Sequence, residues 1–140
     1  MTRQTARKPV NREFAESRLR IARAFHKAAR LEAASIQPGE IGNAAMSQII
    51  LAALAYADAL SARYGGYVNQ KDHAAAVQTL RDALGKRLPT AQETVLARIL
   101  GRKDEVQYGI RLQSTDDARS LLDQLDRFAT WAEAVFVEAA

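Results

Sequence analysis

Two short polar segments of the chain combine residue types that can bind or cleave a phosphodiester. The first is Lys71-Asp72-His73, which follows the alanine-rich segment Ala55–Leu60. The second runs from Arg102 to Tyr108 between two apolar stretches. Cations bind phosphate and an aromatic ring stacks on a base, so this second segment predicts a ligand site. Its candidate ligand-binding residues are Arg102, Lys103, Asp104 and Tyr108.

Each segment also has a purely structural interpretation. A carboxylate in the first turn of a helix complements the positive helix end, which accounts for Asp72, whereas a histidine there is suited to proton transfer. Arg102 and Lys103 suit the negative end of a preceding helix, and Asp104 can pair with Arg102 or Arg111. His73 is therefore a candidate for proton transfer and Arg102 a candidate for binding phosphate, and for both segments the functional and the structural interpretation stay open.

Other catalytic chemistry has little support in the sequence. The chain has two histidines and no cysteine, so the three or four clustered ligands of a transition-metal site are missing. No nucleophile elbow, Walker loop or dinucleotide-binding glycine pattern is present. His26 lies at the edge of an apolar helical stripe, where a structural role is expected. We predict no metal and no cofactor.

The positive charge is concentrated near the N-terminus. Residues 1–30 carry nine Lys or Arg against two acidic residues, whereas residues 31–140 have a net charge of −3. We expect residues 1–11 to form a disordered basic arm, because they are polar and contain Pro9. Such an arm can attract a phosphate backbone through counterion release. The arm residues proposed to contact nucleic acid are Arg3, Arg7, Lys8 and Arg12.

The length and composition indicate a single soluble domain. A chain of 140 residues can bury a core without disulfides, and the lack of cysteine suits a reducing cytoplasm. The longest apolar run, Ile49 to Ala57, has nine residues. A membrane-spanning helix needs about 20, so no membrane partner is expected.

Apolar residues recur at helical spacing along most of the chain, and no strand pattern competes with them. Glycine, proline and capping residues separate the helices. The expected helices run from about Asn11 to Ser35, from Asn43 to Tyr64, from an Asn69 cap to Leu88, from a Thr90–Glu93 capping box to Leu100, and from a Ser114–Asp117 capping box to the C-terminus. A polar connection of residues 101–113 precedes the last helix. Residues 12–140 are thus predicted to form an all-α, single-domain, up-and-down bundle of about five helices.

The order of these short motifs resembles that of the HEPN superfamily, especially its small antitoxin-like and uncharacterised branches. The resemblance covers about residues 15–137. The positions that carry it are Ala55-Tyr56-Ala57, Lys71-Asp72-His73, Arg102-Lys103-Asp104 with Tyr108, and Ala129-Thr130-Trp131 to Phe136.

This resemblance implies a helical bundle that often forms a homodimer, with a polar motif from each subunit lining the cleft. In nuclease members that motif is an arginine followed four to six residues later by a histidine, and it cleaves RNA without metal. Arg102 matches the arginine, but Tyr108 stands where the histidine belongs. Cleavage by general acid–base catalysis needs a group that titrates near neutrality, so the motif is degenerate.

The expected function is a non-enzymatic helical module that binds RNA, a nucleotide or a partner protein, possible settings being a toxin–antitoxin or nucleotidyltransferase-associated system. One alternative is a weak metal-independent endoribonuclease that uses His73 and Arg102. Another is a nucleic-acid-coating protein that acts through the basic arm. A homodimer is expected because four aromatic residues exceed the evident need of the core. They are Tyr56, Tyr64, Tyr67 and Trp131.

Overall fold

The computed structural model describes residues 7–70 and 73–138 of the chain. Its elements are strand β1 (Arg7–Pro9), helices α1 (Arg12–Ser35) and α2 (Asn43–Gly65), strand β2 (Tyr67–Asn69), helix α3 (His73–Leu84), and helices α4 (Thr90–Leu100), α5 (Lys103–Gln107) and α6 (Thr115–Val137). A 3₁₀ turn, Gly85–Arg87, separates α3 from α4. The predicted all-α bundle of about five helices is confirmed. Helix α5 is not among the predicted helices, because it lies inside the segment predicted to be a polar connection.

Helix α2 is the centre of the bundle. It contacts α1, α3, α4, α5 and α6, and thirteen of its residues are buried. Its length and composition are those of a helix that can cross a membrane, but 67% of its most apolar window is buried inside the protein. This burial is typical of the core helix of a soluble bundle.

The flanking helices α1 and α6 each present one apolar stripe to this centre. The buried residues of α1 are Ala15, Leu19, Ala22, His26, Ala29 and Ala33. Those of α6 include Leu121, Leu125, Phe128 and Ala132. Both series repeat every three or four residues, which confirms the periodicity seen in the sequence.

A side chain caps the start of the helix in two cases. The side chain of Asn11 accepts a hydrogen bond from the Phe14 amide at 2.9 Å, and Ser114 accepts one from the Asp117 amide at 3.0 Å. Each bond satisfies an amide that the helix leaves unpaired. The Ser114 cap is as predicted.

One other predicted cap is wrong. Thr90 is already the first residue of α4, Pro89 occupies the cap position, and Glu93 pairs with Arg81 instead of closing a capping box. Asn69, the cap predicted for the third helix, belongs to strand β2, and the described part of α3 begins at His73, directly after two residues that lie outside the described ones. The third helix also ends at Leu84, before the 3₁₀ turn, rather than at Leu88.

The prediction of a disordered arm over residues 1–11 is wrong for its second half. Strand β1 pairs antiparallel with β2, and the register places Arg7 opposite Asn69. Arg7 also donates to the Asp82 carboxylate at 2.7 Å, and its guanidinium lies 5.1 Å from the centre of the Tyr67 ring. A sequence-distant ladder and an ion pair therefore fix residues 7–9. Residues 1–6, including Arg3, lie outside the described residues.

The four aromatic residues that motivate the dimer prediction all make contacts within the chain. Tyr56 is buried in α2, and the Tyr64 hydroxyl donates to the Val135 carbonyl at 2.6 Å. The centre of the Trp131 ring lies 5.5 Å from that of the Phe128 ring, and the Arg7 guanidinium lies over the ring of Tyr67. These contacts remove the aromatic argument for an interface.

A half-buried ion pair joins the central helix to α1. Arg18 lies 3.4 Å from the Asp58 carboxylate, whose side chain is only 15% exposed. Burial raises the pKa of Asp58 from 3.8 to about 6, and the attraction of Arg18 only partly opposes this shift. The charged carboxylate therefore costs stability in the folded state.

We predict that this cost appears as a pH dependence of stability. The folded state holds the Asp58 proton more tightly than the unfolded state does, so its contribution to the free energy of unfolding falls as pH rises from about 4 to about 6. Asp58→Asn is expected to remove a decrease of about 1 to 3 kcal/mol over this window. Urea unfolding at a series of pH values measures the difference between the two proteins.

Asp82→Asn provides the control of opposite sign. The hydrogen bond from Arg7 lowers the pKa of Asp82, so that residue stabilises the fold above its ordinary pKa and loses this effect as pH falls. Parallel pH profiles for wild-type protein and Asp58→Asn would contradict the assignment of Asp58.

Candidate functional site

The connection between α4 and α6 is held in place by the first residue of α2. The Asn43 side chain accepts from the Gln113 amide at 2.8 Å and donates to the carbonyls of Val106 and Arg111 at 3.2 and 3.3 Å. Val106 is buried and anchors α5 to the core. These contacts fix a segment that the sequence presents only as polar.

The Arg102 side chain makes its hydrogen bonds to other residues of the same connection. Its Nε donates to the Glu105 carboxylate, and its Nη2 donates to the Gln113 side-chain oxygen at 2.8 Å. Two of its donor groups are therefore engaged within the protein. Arg102 therefore stabilises the connection between α4 and α6 and is also a candidate ligand-binding residue.

Lys103 and Tyr108 do come together, at the surface. The Lys103 ammonium lies 5.3 Å from the centre of the Tyr108 ring, within the range of a cation–π contact. Tyr108 is 73% exposed, and the neighbouring Ile110 and Leu112 are 100% and 69% exposed. We call these four residues, Lys103, Tyr108, Ile110 and Leu112, the α5 surface. Asp104 contributes its backbone carbonyl, which accepts from the Tyr108 amide at 2.9 Å.

The remaining predicted residues lie elsewhere. His73 is half-buried at the start of α3, on a different element from Arg102, whose guanidinium is directed to Glu105 and Gln113. Lys71 and Asp72 lie outside the described residues.

The described cations of the basic arm have partners of their own. Arg7 binds Asp82, and Arg12 lies 3.3 Å from Glu16. The Lys8 ammonium lies 5.9 Å from the centre of the Phe14 ring. A nucleic acid that bound here would have to compete with these contacts.

The sequence predicts a structural role for His26 but contains no motif that identifies its partners. The ring is buried, its Nδ1 lies 3.1 Å from the Tyr56 hydroxyl, and its Nε2 lies 2.7 Å from the Asp126 carboxylate. A carboxylate only accepts, so Nε2 carries the proton toward Asp126, and in the neutral ring Nδ1 then accepts from Tyr56. Three helices, α1, α2 and α6, meet through this chain of hydrogen bonds.

A cavity of about 220 Å³ opens beside this network. We call it the His26 pocket, and its lining residues are Arg23, His26, Arg30, Tyr56, Ala129, Thr130 and Glu133. Arg23 holds both oxygens of Glu133, at 2.6 and 2.7 Å. Burial, with a further contribution from the Glu133 charge, raises the pKa of Tyr56 to about 12. The phenol is thus neutral and acts as a hydrogen-bonding group rather than as a base.

Residues with the signature of a metal centre are missing from the part of the chain that the structure describes. No group of three or more His, Asp or Glu side chains there lies close enough together to hold an ion. Comparison with models of protein families gives no match, and comparison with curated proteins gives no significant match. The geometry and the sequence motifs therefore carry the functional argument.

We predict that Asn43 controls the order of the whole connection. Asn43→Ala removes one acceptor and two donors, and is expected to lower the free energy of unfolding by about 1 to 3 kcal/mol. Hydrogen exchange should accelerate at the Gln113 amide and along residues 103–112. Chemical denaturation and exchange measured by mass spectrometry test both effects.

Asn43→Asp is the matched variant, since it keeps the acceptor for the Gln113 amide and loses the donors to Val106 and Arg111. Its Gln113 amide should stay protected. Unchanged exchange in the alanine variant would show that the connection is held by other contacts.

Proposed function

We propose that the chain is a non-enzymatic, HEPN-like helical module that binds single-stranded RNA through the α5 surface. One observation carries the proposal: an ammonium group and a well-exposed aromatic ring lie side by side at Lys103 and Tyr108. A base can stack on such a ring while the cation contacts the adjacent phosphate. The exposed Ile110 side chain extends the apolar area beside the ring.

The arrangement favours binding over cleavage. Tyr108 occupies the place of the nuclease histidine in the resembled family, and a phenol is a poor proton carrier near neutral pH. Arg102, the other member of that motif, is engaged by Glu105 and Gln113. The ribonuclease alternative would need His73 to act with an arginine that already donates to Glu105 and Gln113.

The family resemblance also motivates a homodimer in the cytoplasm, with RNA, a nucleotide or a partner protein as ligand. The basic arm is a weaker candidate than the α5 surface, because Arg7 and Arg12 have carboxylate partners and Lys8 packs on Phe14. We therefore assign RNA contact to α5 and expect the arm to contribute little beyond its charge.

We predict that Tyr108→Ala weakens RNA binding about tenfold, because stacking on an aromatic ring contributes about 1 to 3 kcal/mol per base. Tyr108→Phe should retain most of the affinity, since the ring remains. Lys103→Gln should weaken binding and reduce the salt dependence by about one phosphate contact. The measurement is fluorescence anisotropy with labelled oligo-uridine and oligo-adenosine at several salt concentrations.

Lys86→Gln is the charge-matched control, because Lys86 lies exposed in the 3₁₀ turn after α3, away from α5 in sequence. Equal affinity for wild-type protein, Tyr108→Ala and Lys103→Gln would refute the proposed surface. Cleavage of the oligonucleotide by wild-type protein but not by His73→Ala would instead establish the ribonuclease alternative.

A further inference from the structure

The His26 pocket has features of a ligand site that the RNA proposal does not use. It is a concave opening between α1, α2 and α6, and a hydrogen-bonded histidine and tyrosine form its floor. Cavities with a few convergent polar groups are where small ligands bind. A ligand can bind only to lining groups whose hydrogen-bonding capacity is not already used within the protein.

Arg23 and Arg30 differ sharply in this respect. Arg23 forms two short bonds with Glu133, so its charge is neutralised where it stands. Arg30 is 4.0 Å from the Asp126 carboxylate, which is beyond hydrogen-bonding distance. The nitrogen of Arg30 also lies 3.2 Å from His26 Nε2, but that atom already carries a proton directed at Asp126 and cannot accept. The Arg30 guanidinium therefore stands at the pocket with donor capacity to spare.

Other residues of the lining supply hydrogen-bond acceptors. The Thr130 hydroxyl donates to the Asp126 backbone carbonyl at 2.9 Å, which leaves its oxygen lone pairs free to accept. The Tyr56 hydroxyl donates to His26 and likewise keeps lone pairs. Glu133, whose two oxygens accept from Arg23, adds a negative charge to the same lining. The pocket thus offers a cation for an anionic group and several acceptors for a donor close to it.

We propose that the His26 pocket binds a small carboxylate that carries a hydroxyl or ammonium group on the adjacent carbon. The planar guanidinium of Arg30 matches the carboxylate, and the oxygens of Thr130 and Glu133 in the same lining have lone pairs for the neighbouring donor. The carboxylates of Glu133 and Asp126 offset the two arginines, which disfavours a dianion such as phosphate. A cavity of about 220 Å³ is smaller than the sites of drug-sized ligands, so the ligand has only a few heavy atoms.

The test follows the imidazole signals of His26 by nuclear magnetic resonance while glycolate or glycine is added at constant ionic strength. The chain has only two histidines, so His26→Gln assigns the signals and His73 serves as an internal reference. We expect saturable shifts at His26 only, with a Kd of about 1 mM because so small a ligand makes few contacts. Acetate, which lacks the donor, should bind more weakly than both.

Arg30→Gln should weaken binding about tenfold or more, because it removes a charge-assisted hydrogen bond. Arg30 is more than half exposed, so thermal unfolding should change little. Arg20→Gln is the matched control on the exposed side of the same helix, and it should bind as the wild-type protein does. The affinity of Arg30→Lys should fall between those of these two variants, because lysine keeps the positive charge but lacks the paired N–H donors of the guanidinium.

Four results would overturn the proposal. The first three are the lack of any saturable shift with both glycolate and glycine, an undiminished affinity in Arg30→Gln, and acetate binding as tightly as the two probes. Tighter binding of inorganic phosphate would also overturn it, because the charge argument would then be wrong. None of these results depends on RNA binding at the α5 surface.

Discussion

The enclosure of α2 is the constraint on which the rest of the structure depends. This helix is apolar around most of its circumference, so it has to be covered on every side before the chain is stable. The polar groups it does carry into the interior then need partners from the helices that cover it. Tyr56 meets His26 of α1, and Asp58 meets Arg18 of the same helix. The pairing of α1 with α2 is therefore set by hydrogen bonds and charge as well as by shape.

Small side chains determine how close these helices lie. Alanine makes up about half of the buried residues of α2, so its neighbours can approach its backbone closely. At the start of the helix, a Cβ on Gly42 would lie 2.5 Å from the Ser114 carbonyl oxygen, and the Gly42 amide donates to the Gln113 carbonyl at 2.8 Å. The beginnings of α2 and α6 are thus in direct contact. Asn43 is next in the chain, which is why it can reach the α4–α6 connection and shape the α5 surface.

The long helices were predictable because their signal is local and repeated. Periodicity over more than twenty residues located α1, α2 and α6, and Ser114 marked the start of the last helix. The five-residue helix α5 is too short to show a period, and Thr90 was misassigned by one position because Pro89 takes the cap. The β1–β2 ladder joins segments about sixty residues apart through three pairs. No local pattern encodes such a pairing.

The candidate sites were predictable to a smaller extent for the same reason. Lys103 and Tyr108 are five residues apart, at the first position of α5 and at its C-cap, so their contact is local in the sequence. His26 finds its partners 30 and 100 residues away, so its network depends wholly on how three helices pack. A histidine inside an apolar stripe was the only sign of it in the sequence. That sign indicates burial but says nothing of the carboxylate and phenol that make burial tolerable.

The distribution of charge in three dimensions also differs from its distribution along the chain. The first thirty residues carry an excess of seven positive charges, yet several of those arginines end beside acidic residues that come much later in the sequence. Arg7 meets Asp82, Arg18 meets Asp58, and Arg23 meets Glu133. The exposed pairs among these three add little stability, but a phosphate must displace a carboxylate to reach any of the three arginines. A cation that folding leaves less engaged, such as Arg30 or Lys103, is therefore a better guide to function than the number of basic residues in a segment.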